Sequence, residues 1–224
     1  MQNQDEERAW EAVRSQRLAV ADLLESLDAA QWQHPSLCEG WTVQDVAAHL
    51  TLQEVSVLDG LRMVARSPGG MNRVIREAAR RRAAGTSRAE LVAAIRASAG
   101  RRRHNAGLSY LETLIDALVH GQDIARPLGR PLPMPPDAAA LAAAQVWRKG
   151  WPFHPRRRLA GLRLVATDTE WAAGEGSEVR GTIGQLLLVL TGRGAAVVED
   201  LDGDGVPELR RRLPLATSPD DESG

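Results

Sequence analysis

In the stretch YLETLIDALVHGQDIARPLG, residues 110 to 129, Glu112, Asp116, His120 and Asp123 recur at steps of three and four among leucine, isoleucine and valine. Asp116 and His120 stand four residues apart, so on a helix both project from one face, a turn apart. One helix can then offer a carboxylate oxygen and an imidazole nitrogen to a divalent cation without backbone strain. The same spacing also makes an ordinary hydrogen-bonded helix face, with the imidazole satisfied by its neighbours. His49, in DVAAHL, borders an apolar stripe, three residues after Val46 and one before Leu50. A neutral imidazole there has two ring nitrogens to satisfy. A backbone carbonyl does this for many core histidines. Alternatively, two antiparallel helices in a bundle can bring His49 opposite Asp116 and His120. A His/Asp/His set leaves coordination positions open, the pattern of a catalytic rather than a structural metal. Asp123, three residues beyond His120, is placed to orient a ligand or a bound water. Asp45, four residues before His49, could do likewise, but a helix-capping role is the simpler reading.

The other reactive residue types point to less. Cys38 has no histidine fixed near it by sequence except His34, which precedes Pro35, so it is expected to be a small, partly buried thiol. His34, His104 and His154 fall in loop-like segments and are expected to face solvent or cap. DLDGDG at 200–205 starts like a calcium loop, but the position of the bidentate glutamate holds Arg211 and the usual apolar position holds Pro207. It is expected to be a turn. GEGSEVRG lacks the glycine spacing of a dinucleotide loop, and no serine sits in a nucleophile elbow.

The elements that must position these residues follow from periodicity. At 224 residues with 43% hydrophobic content, the chain can bury a core in one large domain or two small ones. A formal net charge of −1 argues against a broad nucleic-acid footprint, so the arginine runs at 80–82, 101–103, 156–158 and 210–212 are read as solvated helix ends or loop edges. One cysteine permits no internal disulfide and fits a reducing compartment. The polar N-terminus is unlike a signal peptide and no apolar run reaches membrane-spanning length, so a cytoplasmic protein is expected. Helical periodicity covers 5–28. Thr42 and Asp45 form an acidic capping box for a helix reaching about Ala65, with Val57 and Leu61 inward. Further helices are expected at about 71–83, at 88–99 behind a Ser87/Glu90 capping box, from about Leu108 to Ala125, and at 137–149. The proline-rich RPLGRPLPMPPD reads as a linker. Beyond Trp151, GLRLVATD and EWAAGE read as strands joined at Asp168, TIGQLLLVLTG as a compact helix, and AAVVEDL as a strand. The expected domains are a helical one at 1–130, a small α/β one at 131–215, and a disordered acidic tail at 216–224.

Taken together, LCEGWTVQDVAAHL and DALVHGQDIARPLGRP resemble the mycothiol-dependent maleylpyruvate isomerase family. The C-terminal run of GLRLVATDTEWAAG, VRGTIGQLLLVLTGR and DGDG is similar to that family's small second domain. The resemblance implies a DinB-like four-helix bundle followed by a small, sterol-carrier-protein-like α/β domain. It also implies metal ligands at His49, Asp116 and His120, where Asp116 replaces the glutamate of the family's E-x-x-x-H pair and is one methylene shorter. Arg193, in LTGR, matches an arginine that serves the acidic substrate, and a helix-capping role is the rival reading. The implied cofactors are a divalent metal, zinc foremost, and mycothiol as thiol cosubstrate. The implied partners are a small-molecule electrophile and that low-molecular-weight thiol, with no nucleic acid and no membrane, in a monomer or homodimer. The activity is isomerisation if the thiol leaves after bond rotation, and S-transfer if it stays. Two other readings stay open at this level: a non-catalytic binder of a small molecule or lipid on the same scaffold, and a metal-dependent hydrolase that activates water.

Overall fold

The computed structural model describes residues 2–52, 71–104 and 109–213. It divides into two compact units, Met1–Ala138 and Ala139–Gly224. The first is helical: α1 (Gln2–Glu25), α2 (Ala29–Gln33), α3 (Val43–Leu50), α4 (Met71–Ala84), α5 (Arg88–Ser98) and α6 (Tyr110–Ala125). Helices α1, α3, α5 and α6 pack on one another, and α4 lies on α3. Their shared core holds Leu24, Trp32, Val43, Val46, Leu91, Ile95, Ile124 and Leu132.

Helix starts follow side-chain chemistry. Thr42 and Asp45 form the expected capping box on α3, each accepting from the other's backbone N–H (3.2 and 3.0 Å), and Ser87 and Glu90 do the same on α5. Asp45 is thus a cap and not a partner of His49. A capping box at Asp28/Gln31 starts α2, while α1 ends at Glu25. α3 closes at Thr51, whose N–H bonds back to Ala48 O. The rest of the helix expected to reach Ala65, with Val57 and Leu61, lies outside the described residues, as do Leu108 and the tail at 216–224. No helix among the described residues is long and apolar enough to cross a membrane.

The second unit is α/β, as expected. After α7 (Pro136–Lys149), inside which the division falls, come α8 (Pro155–Arg158), β1 (Leu162–Ala166), β2 (Ala172–Gly174), β3 (Ser177–Gly181), α9 (Ile183–Leu190) and α10 (Val206–Arg212). The sheet order is β2-β1-β3. β1 pairs antiparallel with β2 (Leu164 opposite Ala173) and parallel with β3 (Leu164 opposite Val179). Helix α9 is apolar on nearly every side and is buried on nearly every side, as a core helix must be.

One expectation fails here. AAVVEDL is not a strand but two 3-10 turns, Gly194–Ala196 and Val198–Asp200. Val197 and Val198 are adjacent and both buried, whereas a strand would send them to opposite faces. Local bonds, Val197 N–H to Gly194 O and Asp200 N–H to Val197 O, bury both without a sheet partner. The third strand is SEVRG instead, and VPELRRR is a further helix. DLDGDG is a turn: Asp204 Oδ1 accepts from Glu178 N–H at 2.7 Å, and Gly203 sits at φ +114°, where a Cβ would strike Glu178 O.

The C-terminus of α9 is closed by Arg158, and Arg193 Nη1 also donates there, to the carbonyl of the cap residue Thr191 at 2.7 Å. Arg158 is half-buried and donates to Val189 O (3.1 Å), Leu190 O (2.7 Å) and Phe153 O (2.8 Å). Val189 O and Leu190 O belong to the last turn of α9, where the helix has no further N–H groups to serve its carbonyls, and Val189 O also accepts from Gly192 N–H at 3.2 Å. Arg158→Ala is therefore expected to cost about 1–3 kcal/mol of stability, because buried acceptors lose a charged donor. Urea denaturation of the full chain measures this; an unchanged midpoint would show that the cap is dispensable.

Candidate functional site

The polar face of α6 separates into three jobs. Glu112 is a cap: its carboxylate accepts from Ser109 N–H at 2.9 Å and from the Ser109 hydroxyl, and Ser109 Oγ accepts from Leu111 N–H. The Ser109-x-x-Glu112 motif was in the sequence and could have identified this role. Asp123, one turn from the other end, is fully buried. Between them Asp116 and His120 form the local pair expected from their spacing, with His120 Nε2 3.1 Å from Asp116 Oδ1.

His49 joins them from α3. Its Nε2 lies 3.5 Å from the same Asp116 oxygen, and its ring meets His120 edge-on with centroids 4.7 Å apart. Trp41, just before α3, packs against the other side of His49 (5.4 Å, T-shaped). Side-chain exposures of 17% for His49, 28% for Asp116 and 15% for His120 describe a recess that is largely closed but still open to a small ligand. The ligating atoms of all three lie within 4.8 Å of one another, so one cation can reach each of them.

His120 is gripped at both nitrogens. Its Nδ1 lies 2.8 Å from Asp123 Oδ2, which also accepts from the Cys38 thiol at 3.0 Å. A carboxylate at Nδ1 selects the tautomer that carries hydrogen there and leaves the Nε2 lone pair facing Asp116 and His49, the state a metal ligand needs. The loop carrying Cys38 is folded by its own bonds. Ser36 N–H donates to Trp41 O (2.9 Å), Cys38 N–H to Ser36 Oγ (3.1 Å), and Gly40 takes φ +72°. Leu37 N–H reaches Asp123 O on α6 at 3.1 Å. Sequence reasoning missed the meeting of Cys38 with Asp123 and His120, because the contact spans more than eighty residues and no motif encodes it.

Cys38, His120 and Asp123 form a second set whose atoms could hold a metal. Its carboxylate is fully buried, however, and it would use the nitrogen that orients His120. The half-open His49/Asp116/His120 set suits a cation that must also meet a ligand. Of the remaining candidates, His34 Nδ1 lies 2.8 Å from Pro35 O, His104 is exposed, and His154 is exposed at the start of α8 without a side-chain cap. Arg193 donates from Nη1 to Thr191 O at 2.7 Å.

The electrostatics follow from the contacts. Burial would raise the Asp116 carboxyl, but the charge of His120 and hydrogen bonds from His120 and His49 outweigh it and hold the group far below the usual carboxylate range. For His120, burial works against the cation. The charge of Asp116 and bonds to Asp116, Asp123 and Cys38 prevail, and the imidazole stays protonated well above its ordinary 6.5 in the metal-free protein. The raised His120 pKa contributes stability that is complete below about 6.5 and is lost as pH climbs through the folded value. The lowered Asp116 pKa contributes above its ordinary 3.8 and is lost as pH falls through the folded value. A metal must displace the His120 proton, so zinc affinity is expected to rise with pH, with release of a proton, until the pH passes the raised His120 value. Calorimetric zinc titrations in buffers of different ionisation enthalpy test this, and a flat affinity with no proton release contradicts it. Asp123→Asn, which keeps the shape and removes the charge, should weaken zinc binding about 10–100-fold; unaltered affinity would reduce Asp123 to a packing residue.

The comparisons with known proteins bear on this site. Residues 13–107 match the family model described as the mycothiol maleylpyruvate isomerase N-terminal domain. The fold is similar to crystal structures of the mycothiol-dependent maleylpyruvate isomerase. A histidine-to-alanine mutant of that enzyme matches with a TM-score of 0.59 at 16% identity, over 89% of this chain and 92% of that one. A second structure of the enzyme matches with a TM-score of 0.50 at 17% identity, over 85% and 90%. No curated protein matches in sequence.

Proposed function

We propose that this chain, whose N-terminal domain belongs to the mycothiol maleylpyruvate isomerase family, is a cytoplasmic metal-dependent enzyme that uses mycothiol to isomerise, or to transfer sulfur to, a small electrophile. The observation that carries the reading is the convergence of His49 Nε2, Asp116 Oδ1 and His120 Nε2, from two helices, within ligating distance of one ion. Two imidazoles and one carboxylate are the donor set of a catalytic zinc that keeps a position open. Zinc held there supplies acidity: it lowers the pKa of a coordinated thiol, making thiolate available at neutral pH.

The protein's own residues supply the rest. His49 and His120 offer neutral nitrogens and Asp116 the single negative charge, so the site keeps net positive charge for an anionic sulfur. Asp123 sets the tautomer and ring direction of His120 from the buried side. Trp41 packs against His49 in a T-shaped contact and helps hold its ring in place. With one methylene fewer than glutamate, Asp116 brings its oxygen close to α6, where it already lies 3.1 Å from His120 Nε2. Arg193 is the candidate for an acidic group of the electrophile. Departure of the thiol after bond rotation gives isomerisation, and retention gives S-transfer.

Protein purified without chelator should contain about one divalent ion per chain and convert small electrophiles only when mycothiol is present. His49→Ala and His120→Ala should each lose most of the metal and the activity while keeping helical circular dichroism, because each removes one of three ligands. Full metal content in both variants would remove the basis for the assignment. Metal-dependent turnover that needs no thiol would replace the thiol chemistry with hydrolysis.

A further inference from the structure

Cys38 takes no part in the His49/Asp116/His120 set, yet both of its backbone groups and its side chain are bonded. Its N–H donates to Ser36 Oγ at 3.1 Å, and its carbonyl accepts from Trp41 N–H at 3.0 Å. The loop around it is tied to two helices. Leu37 N–H donates to Asp123 O on α6 at 3.1 Å, and Arg80 on α4 donates to Gly40 O at 2.8 Å. Leu37 and Cys38 therefore take Asp123 by its main chain and its side chain together.

The sulfur lies on the far side of His120 from the metal set. It is 3.0 Å from Asp123 Oδ2 and 3.8 Å from His120 Nδ1, whereas Nε2, the other ring nitrogen, faces Asp116 and His49. The lone pairs of the two ring nitrogens diverge, and Cys38 and the His49/Asp116 pair fall in separate clusters that share only His120. Asp123 Oδ2 accepts from both sides, from His120 Nδ1–H at 2.8 Å and from Cys38 S–H at 3.0 Å. The carboxylate is fully buried, and a buried charge depends on donors in place of water. The terminal torsion of an aspartate is soft, with broad wells. Two donors that converge on one oxygen from different elements fix that torsion, and with it the oxygen that orients His120.

We propose that Cys38 is a positioning residue for the metal centre: its S–H holds the Asp123 carboxylate in the orientation that aims His120 Nε2 at the ion. This deepens the metal reading and rests on it. The thiol acts as a donor through Asp123, and a sulfur used in this way is neither a metal ligand nor the nucleophile of the reaction.

Zinc affinity of the full chain, measured by competition with a chromophoric chelator, tests the link. Cys38→Val keeps bulk and removes the donor, whereas Cys38→Ser keeps a donor. Cys38→Val should weaken zinc binding about three- to tenfold, less than loss of the Asp123 charge because a thiol is a weak donor, and Cys38→Ser should stay within about twofold of the parent chain. With Asp123→Ala already in place, Cys38→Val should cost little more, since an effect that passes through Asp123 is gone. Cobalt substituted for zinc, without added thiol, should show no sulfur-to-metal charge-transfer absorption. In metal-free protein the His120 Nδ1 proton should give a downfield NMR signal that exchanges slowly in the parent chain and in Cys38→Ser, and faster in Cys38→Val. Unchanged zinc affinity in Cys38→Val, equal losses in Cys38→Val and Cys38→Ser, the same loss with Asp123→Ala in place, or a cobalt–sulfur band abolished by Cys38→Ser would each overturn the proposal. A parent chain that binds no zinc would instead remove the metal reading. The Nδ1 proton would then still decide whether Cys38 holds Asp123 against His120, and an identical signal in the parent and both Cys38 variants would overturn that as well.

Discussion

One imidazole, held at both of its nitrogens, organises the first unit. His120 lies 3.1 Å from Asp116 on one side and 2.8 Å from Asp123 on the other, on a helix whose remaining residues are mostly buried. Burial alone disfavours a charged ring, and a neutral ring with one unsatisfied nitrogen would leave a polar atom stranded in the core. Two carboxylates remove both difficulties. They also give the ring a direction, because the fully buried carboxylate fixes one nitrogen and so turns the other toward the half-open recess.

The rest of the N-terminal unit can be followed outward from that ring. The Cys38 loop exists in its folded form because Leu37 N–H, the Cys38 thiol and the Asp123 main and side chains meet there. That loop leads into Trp41 and the Thr42 cap, which start α3 and bring His49 round to Asp116. Among the described residues His49 Nδ1 is buried with no hydrogen-bond partner. An unpaired nitrogen of that kind costs free energy. Its retention beside a converging carboxylate and imidazole fits a ring whose other nitrogen has a ligand to bind.

The second unit is stabilised by different means. Its central helix is nearly all leucine, valine and isoleucine, so hydrophobic burial holds it, and its polar problem is confined to the carbonyls at its end. A half-buried arginine, Arg158, meets them. The three-stranded sheet is small because β2 and β3 flank β1 within a short stretch of chain, and glycines at 174, 176 and 203 let backbones approach where a Cβ would collide.

Local chemistry was legible. The pairing of Asp116 with His120, the capping boxes at Thr42 and Ser87, the apolar helix at 183–190 and the turn at 200–205 all depend on residues within a few positions of one another. The sequence carries their geometry directly. The Ser109/Glu112 cap was equally local but was hidden by its place on a face already crowded with ligand-type residues. AAVVEDL misled because β-branched residues favour strands only when a sheet edge is available to receive them. SEVRG was overlooked because a five-residue strand between glycines has almost no period to read. What only the tertiary structure decided are the meetings across the chain: His49 with Asp116, and Cys38 with Asp123. Periodicity tells which face of a helix is buried, but not which residue on another helix lies opposite. That choice is made by the packing of side chains that have no sequence relation to one another.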